Sequence, residues 1–134
     1  MTLDGGQTWE QILFKHEQAG AIDLVMCEHD TNVLYASTFE ILRRTWALKA
    51  GGPNSGIFKS TDGGHHWLQM ETLPVRLIKG LAVSPGQRDN STVALITYGG
   101  GAYTTCDQGV SWEVNNKELD RTRLTDIVFS PTYR

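Results

Sequence analysis

The chain has 134 residues, 40% of them hydrophobic and 20% charged, with a formal net charge of −3. That length suits one compact domain rather than two, and no apolar run approaches the roughly 20 residues that span a bilayer. The acidic balance argues against nucleic acid as a partner. Two cysteines, Cys27 and Cys106, make neither a disulfide framework nor a metal-ligand spacing.

Alternating and β-rich runs predict strands in chain order. Residues 8–14 come first, then 21–27, and a polar turn at 28–32 leads into 33–38. A long connection, 39–55, precedes strands at 56–60 and 67–70. The order then repeats over 80–84, 92–98, 101–105 and 111–114, and a last strand covers 124–130. Leu81-Ala-Val-Ser-Pro85 and Asp126-Ile-Val-Phe-Ser-Pro131 mark the opening strand twice. Cys27 is expected buried in a strand, and both thiols are expected free.

Three segments share the pattern Ser/Thr-x-Asp-x-Gly-x-x-Trp. They are Thr2-Leu-Asp-Gly-Gly-Gln-Thr-Trp9, Ser60-Thr-Asp-Gly-Gly-His-His-Trp67 and Thr105-Cys-Asp-Gln-Gly-Val-Ser-Trp112. Gly6, Gly64 and Gly109 supply the positive φ of a tight turn. Asp4, Asp62 and Asp107 can accept backbone N–H groups and hold that turn closed. Trp9, Trp67 and Trp112 open the outgoing strand and are expected to turn a large apolar surface to the core. His66, in place of a hydroxyl residue, is expected to weaken one local hydrogen bond. Asp62 and Asp107 lie 45 residues apart, a period that suits one four-stranded unit per repeat.

On these residues the chain resembles the Asp-box (BNR) repeat β-propellers, a group that includes sialidases, sortilins, xyloglucanases and many bacterial extracellular proteins. The resemblance implies an all-β fold: a partial β-propeller with two complete four-stranded antiparallel blades, at 21–70 and 80–114. One flanking strand is expected at each end, within 1–14 and at 124–130. Two and a half blades cannot close a ring, so the chain is expected to be a fragment of a longer protein or a truncated reading frame. Its open edges would then meet the remaining blades of a longer chain or promote self-association. Family habit further implies an extracellular or periplasmic location.

Up-and-down blades put the three Asp-boxes on the face that carries the strand one–two turns. The resemblance then assigns ligands to the opposite face and leaves Asp4, Gly6, Trp9, Asp62, Gly64, Trp67, Asp107, Gly109 and Trp112 a structural role. On that opposite face lies the connection 39–55, which resembles the Arg-rich, Trp-containing insertion of some sortilin-like bacterial repeat proteins. It is read with equal weight as a hydrophobic flap or a ligand loop. Nine of the twelve Lys and Arg residues fall on this face: Lys15, Arg43, Arg44, Lys49, Arg76, Lys79, Lys117, Arg121 and Arg123. Only five of fifteen acids join them, Glu17, Glu40, Glu71, Glu118 and Asp120. The candidate ligand-binding residues are accordingly Arg43, Arg44, Trp46, Lys49, Arg76 and Arg121, facing an anionic protein segment or polysaccharide.

No carboxylate pair stands out for glycoside hydrolysis among Glu17, Glu40, Glu71 and Asp120. His16, His29, His65 and His66 lack metal-ligand spacing, Gly99-Gly-Gly101 is not a phosphate loop, and no cofactor is implied. The expected function is a non-catalytic binding or scaffold segment. The alternatives are a slice of a xyloglucanase-like or sialidase-like glycoside hydrolase, and a photosystem II assembly-type propeller. The long insertion and the Ser-Pro strand ends fit the last of these less well.

Overall fold

The computed structural model describes residues 1–75, 77–85, 91–119 and 122–131. Among them the chain is all-β, and no helix is long and apolar enough to cross a membrane. Nine strands form two antiparallel sheets. The first contains β1 (Ala19–Met26), β2 (Leu34–Arg44), β3 (Ala47–Ala50), β4 (Gly56–Ser60) and β5 (Leu68–Gln69), ordered β1-β2-β4-β5 with β3 paired to the far half of β2. The second contains β6 (Ile78–Val83), β7 (Val93–Thr97), β8 (Gly101–Thr105) and β9 (Glu113–Val114) in sequential order.

The eight strands expected between residues 21 and 114 are thus present with shifted bounds, and β3 is added to them. The central strands are the most regular because both their faces are covered. Every residue of β7 is buried, as are Tyr35 to Thr38 of β2, and such strands read as continuous rather than alternating runs. The fourth strands shrink from four residues to two, since β5 and β9 each pair on one side only. Residues 9–14 and 124–130 follow no ladder, against expectation. A strand needs a run of backbone partners for its N–H and C=O groups, and the first segment has only an isolated exchange between Glu10 and Met1.

Residues 9–16 instead lie over the first sheet. Lys15 Nζ sits 4.8 Å from the centre of the Phe58 ring, and Ile12 reaches the Gly64 turn. Phe58 is thereby buried although it points away from the second sheet.

Strand register shows how the two sheets meet. Val25, Tyr35 and Lys59 are paired across the first sheet and share one face, as Leu81, Leu95 and Tyr103 do across the second. These faces stack, and Cys27, Tyr35 and Ile57 pack with Ile78, Leu81, Val93, Leu95 and Tyr103 in one core, with Leu73 from the connection between the sheets. Four polar contacts tie the same interface. Leu81 N donates to Asp23 Oδ2 at 2.8 Å, and His29 Nε2 lies 3.0 Å from the Pro85 carbonyl. Lys59 Nζ donates to Gln108 Oε1 at 2.7 Å, and Thr72 Oγ1 donates to the Gly109 carbonyl at 2.5 Å. A bulge recurs at the same place in both opening strands, between Ala21 and Asp23 and between Ile78 and Gly80. Each bulge adds a residue and bends its strand.

Both cysteines are free, Cys106 exposed and Cys27 buried one residue beyond β1. Burial pushes the Cys27 thiol up, and burial also pushes the Tyr35 hydroxyl up to about 12. A thiol reagent at neutral pH should therefore modify one cysteine rapidly and the second only on unfolding; two fast thiols would contradict this burial. Leu95 is fully buried at the centre of the core, so Leu95→Ala should lower unfolding free energy by about 3 kcal/mol in denaturant titration.

Candidate functional site

The repeated turns are built alike. In the first, Gly6 N donates to Thr2 Oγ1 at 2.8 Å, Thr8 N to Asp4 Oδ1 at 2.9 Å, and Thr8 Oγ1 to Asp4 Oδ2 at 2.6 Å. The third repeats this with Gly109 N on Thr105 Oγ1 at 2.9 Å, and Ser111 N and Oγ on Asp107 at 2.9 and 2.5 Å. In the second, Gly64 N bonds Ser60 Oγ at 2.9 Å and His66 N bonds Asp62 Oδ1 at 2.9 Å. Imidazole Nδ1 of His66 takes the hydroxyl's place, 2.5 Å from Asp62 Oδ2. Nδ1 thus reaches the carboxylate oxygen that a hydroxyl reaches in the other two turns.

One tryptophan departs from expectation, whereas Trp112 packs against the core as expected. Trp9 is 74% exposed rather than turned to a core. Trp9 and Trp67 donate Nε1–H to the carbonyls of Gly6 and Gly64 at 3.1 and 2.9 Å, whereas buried Trp112 Nε1 has no partner among the described residues. The equivalent carbonyl, that of Gly109, already accepts from Thr72. Another exception is Gln108, with φ of 59° where the other turns have Gly5 and Gly63 at 72°. Holding a non-glycine residue there costs about 1 kcal/mol, offset by the bond from Lys59.

The second and third turns sit at one end of the sheets, between β4 and β5 and between β8 and β9. Gly63 N donates to the Asn32 carbonyl at 2.9 Å, which joins the second turn to the β1–β2 turn. The connection 39–55 enters at the other end of β4. It is a hairpin: β2 runs on to Arg44, turns at Thr45 and Trp46, and returns as β3. Its base is clamped by side chains. Glu40 Oε2 accepts from Asn54 N and Nδ2 at 3.2 and 3.1 Å, Ser55 Oγ accepts from Glu40 N at 2.8 Å, and Thr38 Oγ1 donates to the Asn54 carbonyl at 2.6 Å. Residues 41–44 and 47–50 are thus an ordered two-stranded arm.

The arm carries four of the six candidate ligand residues, and its register divides them. Ile41, Arg43, Leu48 and Ala50 share one face, and Leu42, Arg44, Ala47 and Lys49 the other. Trp46 stands at the tip, 80% exposed, beside an open hollow lined by Ile41, Arg43, Arg44 and Leu48. The only side-chain ion pair among the described residues is His66–Asp62, so Arg43, Arg44 and Lys49 form none there.

Arg76 and Arg121, the other two candidates, lie outside the described residues, as does Asp120. Some of the expected basic face is already engaged, with Lys15 over Phe58 and Lys79 Nζ donating to the Leu124 carbonyl at 3.1 Å. Glu40, one of the candidate acids, serves the clamp. Sequence reading missed that clamp and also Asp23, although a lone carboxylate between Ile22 and Leu24 was a visible anomaly. It missed Asn116 as well, which closes the β7–β8 turn by accepting Ala102 N at 2.9 Å and donating to the Gly100 carbonyl at 3.1 Å. Among the described residues no group of three or more His, Cys, Asp or Glu could hold a metal ion.

No protein-family model matches the chain, and no curated protein matches it.

The turn carboxylates carry a pH signature. Bonds from Thr8 and Thr2 hold Asp4 well below the usual carboxylate range, those from His66 and Ser60 do so for Asp62, and those from Ser111 and Thr105 for Asp107. A carboxylate depressed by folding contributes its full stability above its unfolded value, near 3.9. It loses that contribution as pH falls through the folded value. Asp107→Asn should therefore melt below the parent protein by a constant margin from neutral pH down to about 5. The margin should narrow below about pH 4; a margin unchanged at pH 2 would contradict the assignment.

Proposed function

We propose that the two sheets are neighbouring blades of an Asp-box β-propeller segment and that it acts as a non-catalytic binding module for an anionic polymer. The blade reading is supported by the sequential strand order, the bulge shared by both opening strands, the face-to-face stacking, and the three turns of one construction. A carboxylate that takes an edge N–H from the next sheet, as Asp23 does from Leu81, suits opening strands set side by side around an axis.

One observation carries the binding reading. A hairpin arm at the end away from the Asp-boxes presents three cations that form no ion pair among the described residues, around an exposed indole. No acidic residue occurs between Ile41 and Ala50, so this arm is +3 on a chain of −3. Guanidinium groups suit carboxylate or sulfate recognition, and a tryptophan face suits a sugar ring or an apolar side chain. The clamp leaves Glu40 no free role as a catalytic acid, which favours binding over hydrolysis.

Binding to polygalacturonate and polyglutamate, measured by calorimetry at low salt, tests the reading. The double variant Arg43→Ala/Arg44→Ala should bind about tenfold more weakly, with a shallower salt dependence. Unchanged affinity for every polyanion that the parent protein binds would overturn it, and so would release of reducing sugar from the polysaccharide.

A further inference from the structure

The arm has an edge as well as two faces. Gly51 N donates to the Glu40 carbonyl at 2.9 Å, which makes these two a bonded pair. Alternation along the ladder then makes Leu42–Lys49 and Arg44–Ala47 bonded pairs. The N–H and C=O groups of Leu48 and Ala50 therefore point away from β2. The same alternation turns Ile41 outward on the opposite edge, and there its N–H is indeed spent, on the Gln18 carbonyl at 3.1 Å. On β3 no such neighbour exists among the described residues: it pairs there with β2 alone, and Leu48 is 65% exposed.

An open edge of this kind invites another strand, and the charge beside it selects which. A second copy pairing edge to edge would bring Lys49 against its own counterpart, a like-charge juxtaposition that disfavours it. An acidic strand meets the opposite condition. Bonded through its main chain to Leu48 and Ala50, it would set its alternate side chains on the face of Lys49 and Arg44, opposite Lys49. Its remaining side chains would lie on the face of Ile41, Arg43 and Leu48, which is largely apolar. Main-chain bonds would supply affinity and the two faces selectivity, as in strand addition generally.

We infer that the free edge of β3 takes up an extended acidic peptide segment as an added strand, with acidic residues alternating with apolar ones. This rests on the binding reading above and narrows its ligand from a polyanion to a peptide.

The probe is an acetylated, amidated octapeptide of alternating Glu and Val, titrated into the full chain by fluorescence anisotropy. Two N-methylated copies accompany it, one methylated at every Val amide and one at every Glu amide. In the inferred register valine amides face β3, so methylation there should weaken binding by about tenfold or more, whereas methylation at glutamate should leave it intact. Leu48→Pro removes one outward N–H and leaves the β2–β3 ladder whole; it should bind about fivefold more weakly. Lys49→Glu should bind about tenfold more weakly.

Equal binding of the two methylated copies would overturn strand addition, as would Leu48→Pro behaving like the parent protein. Should Leu48→Pro fail to fold, the methylated peptides still decide the question. If polygalacturonate binds in an arginine-dependent way and none of the peptides does, strand addition fails while the polyanion reading stands. If neither probe binds, both fail.

Discussion

At each of the three turns one carboxylate takes hydrogen bonds from the residue four positions on, while a Ser or Thr hydroxyl takes the glycine N–H between them. Side-chain oxygens thereby replace the backbone partners that a hairpin of this length lacks. The turn is closed by its own residues, without help from the core. For this reason Trp9 can stand in solvent with its turn intact. It is also why His66 can replace a hydroxyl residue, since all the carboxylate needs is a polar atom at the right reach.

The arrangement of the sheets follows from that closure. With the ends of β4 and β8 held by their Asp turns, the register of the strands leaves one face of each sheet to pack on the other. The interface combines an apolar centre with polar ties at its margins. Local regularity yields to the interface in one place. Thr72 claims the Gly109 carbonyl, and Trp112 loses the bond that its counterparts keep. An unpaired buried N–H costs about 1–3 kcal/mol, so the joint between the sheets has shaped its nearest turn.

Opposite the Asp turns the two sheets are closed in different ways, and there their sequences diverge. One sheet spends only a short glycine turn, pinned by Asn116. The other extends into the β2–β3 arm, whose base is locked by Glu40, Ser55 and Asn54. Rigidity at the base matters for recognition, because groups held in place lose less conformational entropy on binding. In the proposed propeller reading, one end of the segment would serve stability and the other a ligand.

Much of this was legible in the residues alone. A pattern of Ser/Thr, Asp, Gly and Trp at fixed spacing encodes a turn through short-range bonds, so the three turns and the strand order around them could be read without coordinates. Arg43, Arg44, Trp46 and Lys49 were legible as an unusual cluster for the same reason, being near one another in sequence. Other features depended on what lies across space. Residues 9–14 have strand-like composition and no ladder, because pairing requires a partner backbone. The split of Arg43 from Arg44 and Lys49 between two faces follows from register, and register was decided only when residues 39–50 folded into a hairpin. Asp23 looked misplaced in an apolar strand until the second sheet brought it the N–H of Leu81. Composition and spacing determined the local turns; tertiary packing decided which groups those turns would leave unpaired, and so which edge of the molecule stays open.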